Sequence, residues 1–276
     1  MTGFIRAIGM GIVSVVIGLA LNVAARAGDL DEAFSVNNPD ATMTVDHSAW
    51  SKILKTYIVA SPDGINRFGY GRVTPADKQA LKTYLAMLQG VKVTALKADE
   101  QRAFWINLYN ALTIDVVLDH YPVKTIKDIS LGGGIFAFGP WKKELVAVEG
   151  RKLSLDNIEH DILRKVWKDP RVHYAVNCAS MSCPNLMATA FTGAKLDEML
   201  TQGARGYVNH KRGVNLSGRR LRLSSIYDWY RKDFGSSDAE VIAHVSTYAE
   251  PALKQQLAEI KTINGYDYDW SLNEAK

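Results

Sequence analysis

The stretch QRAFWINLYNALTIDVV, residues 101–117, decides how the rest of the chain is read. Phe104, Leu108, Leu112 and Val116 recur every fourth residue and mark one face of a helix. Trp105, Ile106, Ala111 and Ile114 make the other faces apolar too, so this helix is expected to be covered nearly all round. The pattern predicts helix from about Ala98 to His120, stopping before Pro122. Asn107 and Asn110 interrupt it, one turn apart. A buried amide without a partner costs about 1–3 kcal/mol, so both need hydrogen bonds. They either tie a loop to the helix, such as Gly132–Gly134, or face a cleft to orient a base or bind a substrate carbonyl.

Upstream, Trp50, Ile53, Leu54 and Tyr57 form a second helix stripe opened by Asp46. TPADKQALKTYLAMLQG, residues 74–90, predicts a third, with Thr74 as N-cap, Pro75 in the first turn and Gly90 at the end. Downstream, LGGGIFAFGPW (131–141) reads as a glycine-rich loop and ELVAVEGRKLSL (144–155) as a hairpin turning at Glu149-Gly150. A helix from Leu155 to about Trp167, a strand from Arg171 to Asn177 and a helix from about Lys195 to Val208 follow. A second hairpin turns at Ser217-Gly218, a helix ends at Gly235, two short helices flank Pro251, and the tail is extended. Helices come first and hairpins later, without β-α-β alternation. The expectation is therefore an α+β fold: a single globular domain, helices packed on a mainly antiparallel sheet with two hairpins.

The N-terminus bears on compartment. Arg6 precedes a mostly apolar run from Ala7 to about Leu21, and Ala25-Arg26-Ala27 supplies a small-residue cleavage pattern. This is the layout of a signal peptide over residues 1–27, and it predicts a periplasmic or secreted protein with an arm or linker at 28–45 and one domain at 46–276. No later segment is long and apolar enough to span a membrane. The formal charge of +4 drops to +2 without Arg6 and Arg26. One basic cluster, HKRGVNLSGRRLRL (210–223), has no interleaved aromatics, so nucleic acid is not an expected partner.

Polar residues sit where apolar ones belong. In SLDNIEHDILRKVW (154–167), Glu159 shares a face with Leu155 and Leu163, and His160 stands at its edge. A carboxylate there requires a partner, either an arginine such as Arg102 or Arg171, or a catalytic group. On the predicted strand, alternation points His173 and Asn177 the same way, toward Cys178.

Several motifs then occur together: AFWINLYNAL, SLDNIEHDILR, DPRVHYAVNCASMSCPNL, IYDWYRKDFG and the closing YDYDWSLN. They resemble the domain of unknown function 547 family over most of the chain from about residue 98. The resemblance implies a distant likeness to papain-like and transglutaminase-like thiol enzymes. The positions matching the family's polar motif residues are Asn107, Asn110, Glu159, His160, His173, Asn177, Cys178, Ser180 and Cys183. Thiol enzymes of that kind carry the cysteine at the start of a long helix, whereas here both thiols follow the histidine segment.

Cys178 and Cys183 admit three readings. An exported chain favours a disulfide. Zinc would need both thiols with His160 and His173, at a spacing unlike structural sites; no metal or other cofactor is expected. The third reading is a nucleophile. Cys178 would attack as thiolate, with His173 or His160 as general base and Glu159 or an asparagine as the orienter. Cys183, placed before Pro184 at the start of a short helix, is the other candidate thiol. That predicts a hydrolase or acyl transferase acting on an amide or thioester of a small molecule or peptide. The alternative is a non-catalytic binding or scaffold module held by the disulfide. Under both, Asn107, Asn110, Glu159, His160, His173 and Cys178 are expected to converge on one pocket bordered by the loop Gly132–Gly139.

Overall fold

A computed structural model describes residues 30–131 and 139–275; the expected signal peptide and residues 132–138 of the glycine-rich loop lie outside them. Four helices build the first half: α1 (Leu30–Ser35), α2 (Ser48–Tyr57), α3 (Pro75–Gln89) and α4 (Ala98–His120). Every residue of α4 from Glu100 to Ile114 is buried, as its nearly unbroken apolar surface requires. Thr74 caps α3 by accepting from the Asp77 amide, and Pro75 and Gly90 take the places the sequence assigns them. The segment expected to be a loose arm is partly docked: Phe34 of α1 is buried and meets Trp105 edge-on at 4.8 Å.

The strands are short and form three small sheets instead of one. β1 (Ile58–Ala60) and β2 (Asn66–Phe68) make a hairpin absent from the sequence reading. β3 (Val146–Val148) and β4 (Arg151–Leu153) pair through the expected turn, where Glu149 and Gly150 both have positive φ. β5 (Val214–Ser217) and β6 (Arg220–Ser224) form the second expected hairpin, and β7 (Gly265–Asp267) joins β6 in parallel. The α+β class stands, with helix dominant.

Between them, Ser154 and Asn157 exchange side-chain-to-backbone hydrogen bonds at 3.0 and 3.1 Å and start the next helix. It opens as a wide π-helical stretch, Asn157–Leu163, and tightens into α5 (Arg164–Trp167). π-Turns of this kind are rare and recur at functional sites.

The expected strand at Arg171–Asn177 is not one. Residues Pro170–Tyr174 form a tight 3₁₀ helix, capped by Asp169, whose carboxylate accepts from the Arg171 amide. An Asp-Pro pair is a helix start, and that local signal outweighs the alternation of Val172, Tyr174 and Val176. The remaining helices are α6 (Leu196–Val208), α7 (Ile226–Trp229), α8 (Arg231–Phe234), α9 (Asp238–Tyr248) and α10 (Pro251–Leu257).

Two apolar clusters result. The larger surrounds α4; the smaller, around Tyr207, Leu221, Tyr227 and Phe234, lies among α6 to α10 and the β5–β6–β7 sheet. The segment after Asp169 serves both, sending Val172 and Val176 into the first and Tyr174 into the second. Among the described residues no helix is long and apolar enough to cross a membrane.

Candidate active site

A cavity of about 260 Å³ opens beside this junction. The π-helical stretch delivers Glu159 and His160, the 3₁₀ segment His173, and the loop after it Cys178 and Cys183. Tyr109 comes from α4, Trp229 from α7, and Tyr230 from the break before α8. Trp141, Tyr268 and Trp270 complete the aromatic wall.

His173 is 3 % exposed and its ring is held on three sides. Tyr230 stacks on it at 4.2 Å and 15°, and Phe234 lies at 5.2 Å. Its Nε2 is 2.7 Å from Asp233 Oδ2, while Nδ1 is 3.9 Å from Glu159 Oε1. With Nε2–H donating to Asp233, Nδ1 keeps a free lone pair on the Glu159 side. Burial lowers the His173 pKa, with Asp233 and Glu159 opposing, so the ring is neutral near pH 7.

Asp233 also receives a fork from Arg164, at 2.6 and 3.1 Å. Burial alone would raise its pKa. Hydrogen bonds from His173 and Arg164 outweigh that and hold the carboxyl well below the ordinary range. The Arg164 guanidinium in turn lies 4.8 Å from the Tyr230 ring centroid.

Cys178 and Cys183 form a disulfide, with Cα atoms 6.3 Å apart. Their sulfurs therefore carry no proton, and the Tyr268 hydroxyl points at them from 3.2 and 3.3 Å. Ser180 donates to that hydroxyl at 3.0 Å. A zinc site with both thiolates is incompatible with this bond, and among the described residues no three His, Cys, Asp or Glu side chains cluster to hold a metal.

Of the six residues expected to converge, four line the cavity: Glu159, His160, His173 and Cys178. The two asparagines do not. Asn107 binds the backbone of Phe191 in both directions, at 2.8 and 2.9 Å. It lies about 200° round the helix from Tyr109, which faces the cavity. Asn110 receives the Asn177 amide and donates to the Ala175 carbonyl, at 2.8 and 2.9 Å. It is thus a buried clamp on the segment that joins His173 to Cys178. Asn177 is internal as well: it accepts from the Ala179 amide and donates to the Pro184 carbonyl, closing the cysteine loop. Ser180 is buried behind the disulfide. Glu159 is not tied to an arginine, because Arg102 pairs with Asp169, and Arg171 with Asp169 and Asp197. Trp141 follows the glycine-rich loop and borders the cavity, although residues 132–138 are not described.

Sequence reasoning missed Asp233, Tyr230, Tyr268 and the tryptophans. One signal existed: Tyr230 and Asp233 are three residues apart and so share a helical face.

The fold and cavity define an α+β chain in which an aspartate-held histidine and a disulfide line one aromatic-walled pocket. Residues 93–208 match the family described as "Protein of unknown function, DUF547", and over that stretch the chain is similar to it. The match carries α4, the π-helical stretch, the cysteine loop and α6; Asp233, Tyr230 and Tyr268 lie beyond it. No curated protein and no solved structure matches the chain.

Proposed function

We propose that this chain is an exported thiol hydrolase or acyl transferase, acting on an amide or thioester once its disulfide is reduced. The observation that carries the reading is the 2.7 Å contact between Asp233 and His173, with the ring in the wall of a cavity that Cys178 shares. A carboxylate on one ring nitrogen fixes the tautomer and leaves the other as a base. Export rests on the pattern of residues 1–27.

A dithiol gives two electrons to the Cys178–Cys183 bond, leaves as its own disulfide, and frees both thiols. His173 Nδ1 takes the Cys178 proton as the thiolate adds to the substrate carbonyl carbon. Collapse expels an amine or thiol, which leaves with that proton. Water, or an acceptor nucleophile in the transferase case, then cleaves the acyl-thioester and restores the Cys178 thiol.

Iodoacetamide labelling with mass mapping tests this. After dithiol treatment Cys178 should label faster than Cys183, and His173→Ala should slow it at least about tenfold. Equal rates at the two cysteines, or no effect of His173→Ala, would falsify the proposal.

The disulfide itself favours a second reading, a periplasmic binding or scaffold module in which the bond is permanent. In that case a cellular phenotype would follow stability alone. Cys178→Ser and Cys183→Ser would then be equivalent in the cell as well as in the test tube.

A further inference from the structure

The cavity's charge does not close on itself. Glu159 is 6 % exposed, yet among the described residues no lysine or arginine nitrogen approaches it within salt-bridge range. Its nearest basic atoms are Nδ1 of His160 and of His173, both at 3.9 Å. His173 is neutral near pH 7 because burial lowers its pKa. Arg164, the guanidinium nearby, forks to Asp233 through Nε and Nη2 and meets His160 Nδ1 through Nη1 at 3.3 Å, without a salt bridge to Glu159. Asp156 adds a second carboxyl to the lining, which among the described residues contains no lysine or arginine. The Tyr109 and Tyr230 hydroxyls reach Glu159 but bring no positive charge. A buried carboxylate without a counter-cation is costly, and a cation from outside would relieve that cost.

The walls have the matching chemistry. Tyr109, Trp141, Trp229, Tyr230, Tyr268 and Trp270 all line the cavity. Tyr268 and Trp270 lie 4.7 Å apart, Trp229 and Tyr268 4.8 Å, and Trp141 and Trp270 5.7 Å, forming a continuous aromatic surface. Trp229 is 47 % exposed, which keeps part of this surface open to solvent. Aromatic faces attract a desolvated ammonium, and such groups are bound in cages of this composition. Burial pushes up the pKa of Tyr109, Tyr230 and Tyr268, so the phenols stay neutral.

We infer that the cavity receives an alkylammonium group of the substrate, with Glu159 as its counter-charge and the tryptophans and tyrosines as its walls, beside His173 and Cys178. This deepens the reading of the cavity as a substrate site and rests on it. The substrate class is then an amide or thioester that carries a positively charged amine close to the bond to be cleaved.

The test is a binding titration on the full oxidised chain, read by its tryptophan fluorescence. The probes are choline and its uncharged isostere, in which carbon replaces nitrogen, with n-butylammonium to separate primary from quaternary amines. Choline, n-butylammonium or both should bind at least about tenfold more tightly than the isostere. Glu159→Gln should remove most of that preference and leave isostere binding unchanged. Trp229→Leu, at a half-exposed position that does not test folding, should weaken the ammonium probes more than the isostere. Equal affinities for charged and uncharged probes overturn the inference. So does a Glu159→Gln variant that melts like the parent and keeps the preference. The titration needs no reduction or turnover, so failure of the thiol chemistry and failure of ammonium recognition are separate results.

Discussion

His173 Nε2 and Asp233 Oδ2 are 2.7 Å apart although 60 residues separate them in the chain. The contact joins the 3₁₀ segment to α8, so the cavity depends on docking the C-terminal cluster against the α4 half. Asp233 does two jobs there. It fixes the imidazole and it pairs with the Arg164 guanidinium.

Asp233→Asn therefore separates orientation from packing. The amide keeps the size of the carboxylate but can donate to the ring, which favours the other tautomer. In reduced protein the Cys178 alkylation rate should fall by roughly ten- to a hundredfold, and stability by roughly 1–3 kcal/mol. Stopped-flow alkylation and urea unfolding measure the two. An unchanged alkylation rate means that Asp233 only packs.

The two asparagines of α4 should behave alike in stability and differently at the site. Asn107→Ala and Asn110→Ala each strand buried backbone groups, at Phe191 and at Ala175–Asn177 respectively. Each should cost roughly 2–3 kcal/mol in denaturant unfolding. Only Asn110→Ala should also slow Cys178 alkylation, because it releases the His173–Cys178 segment. If Asn107→Ala slows it equally, the clamp assignment is wrong.

Breaking the disulfide should cost little. It closes a loop with a sequence separation of 5. Loop-closure entropy for so short a loop is about 2 kcal/mol. Cys178→Ser, Cys183→Ser and the double variant should show the same loss in urea, near that value. A double variant with twice the loss of the singles contradicts a single shared bond.

Acid stability carries a histidine signature. Burial lowers the pKa of His47 and of His244 from 6.5 to about 4, and lowers that of His173. The unfolded chain takes up these protons near 6.5 while the folded protein does not, so stability should decline as pH falls from about 6.5 toward 4. The His47 shift alone corresponds to about 3 kcal/mol at the lower end. Asp233, with its depressed pKa, adds a further loss only below the ordinary carboxylate range of about 4. Urea midpoints between pH 4 and pH 7 check the sign: a flat profile contradicts it. His47→Gln should flatten part of the slope, because His47 Nδ1 then no longer meets Tyr84 and no proton is withheld.

Much of the fold was legible because it is local. The stripe of α4, the Thr74–Pro75 start of α3 and the turns at Glu149-Gly150 and Ser217-Gly218 each depend on neighbours a few residues away. The segment after Asp169 failed for an equally local reason. Five residues of apolar alternation fit a strand, but no partner strand existed, and the Asp-Pro start needed none.

The sequence by itself determined which positions are polar where burial is demanded: Asn107, Asn110, Glu159, His160, His173 and the two cysteines. It also determined that each needs a partner, since an unmet buried polar group is costly wherever it lies. Only the tertiary structure decided who the partners are. Asn107 and Asn110 turned to backbone, Cys178 to Cys183, His173 to Asp233, and Glu159 was left facing a cavity. Hydrogen bonding is short-ranged and indifferent to distance along the chain. A pattern read along the chain therefore finds the need, and packing alone supplies the answer.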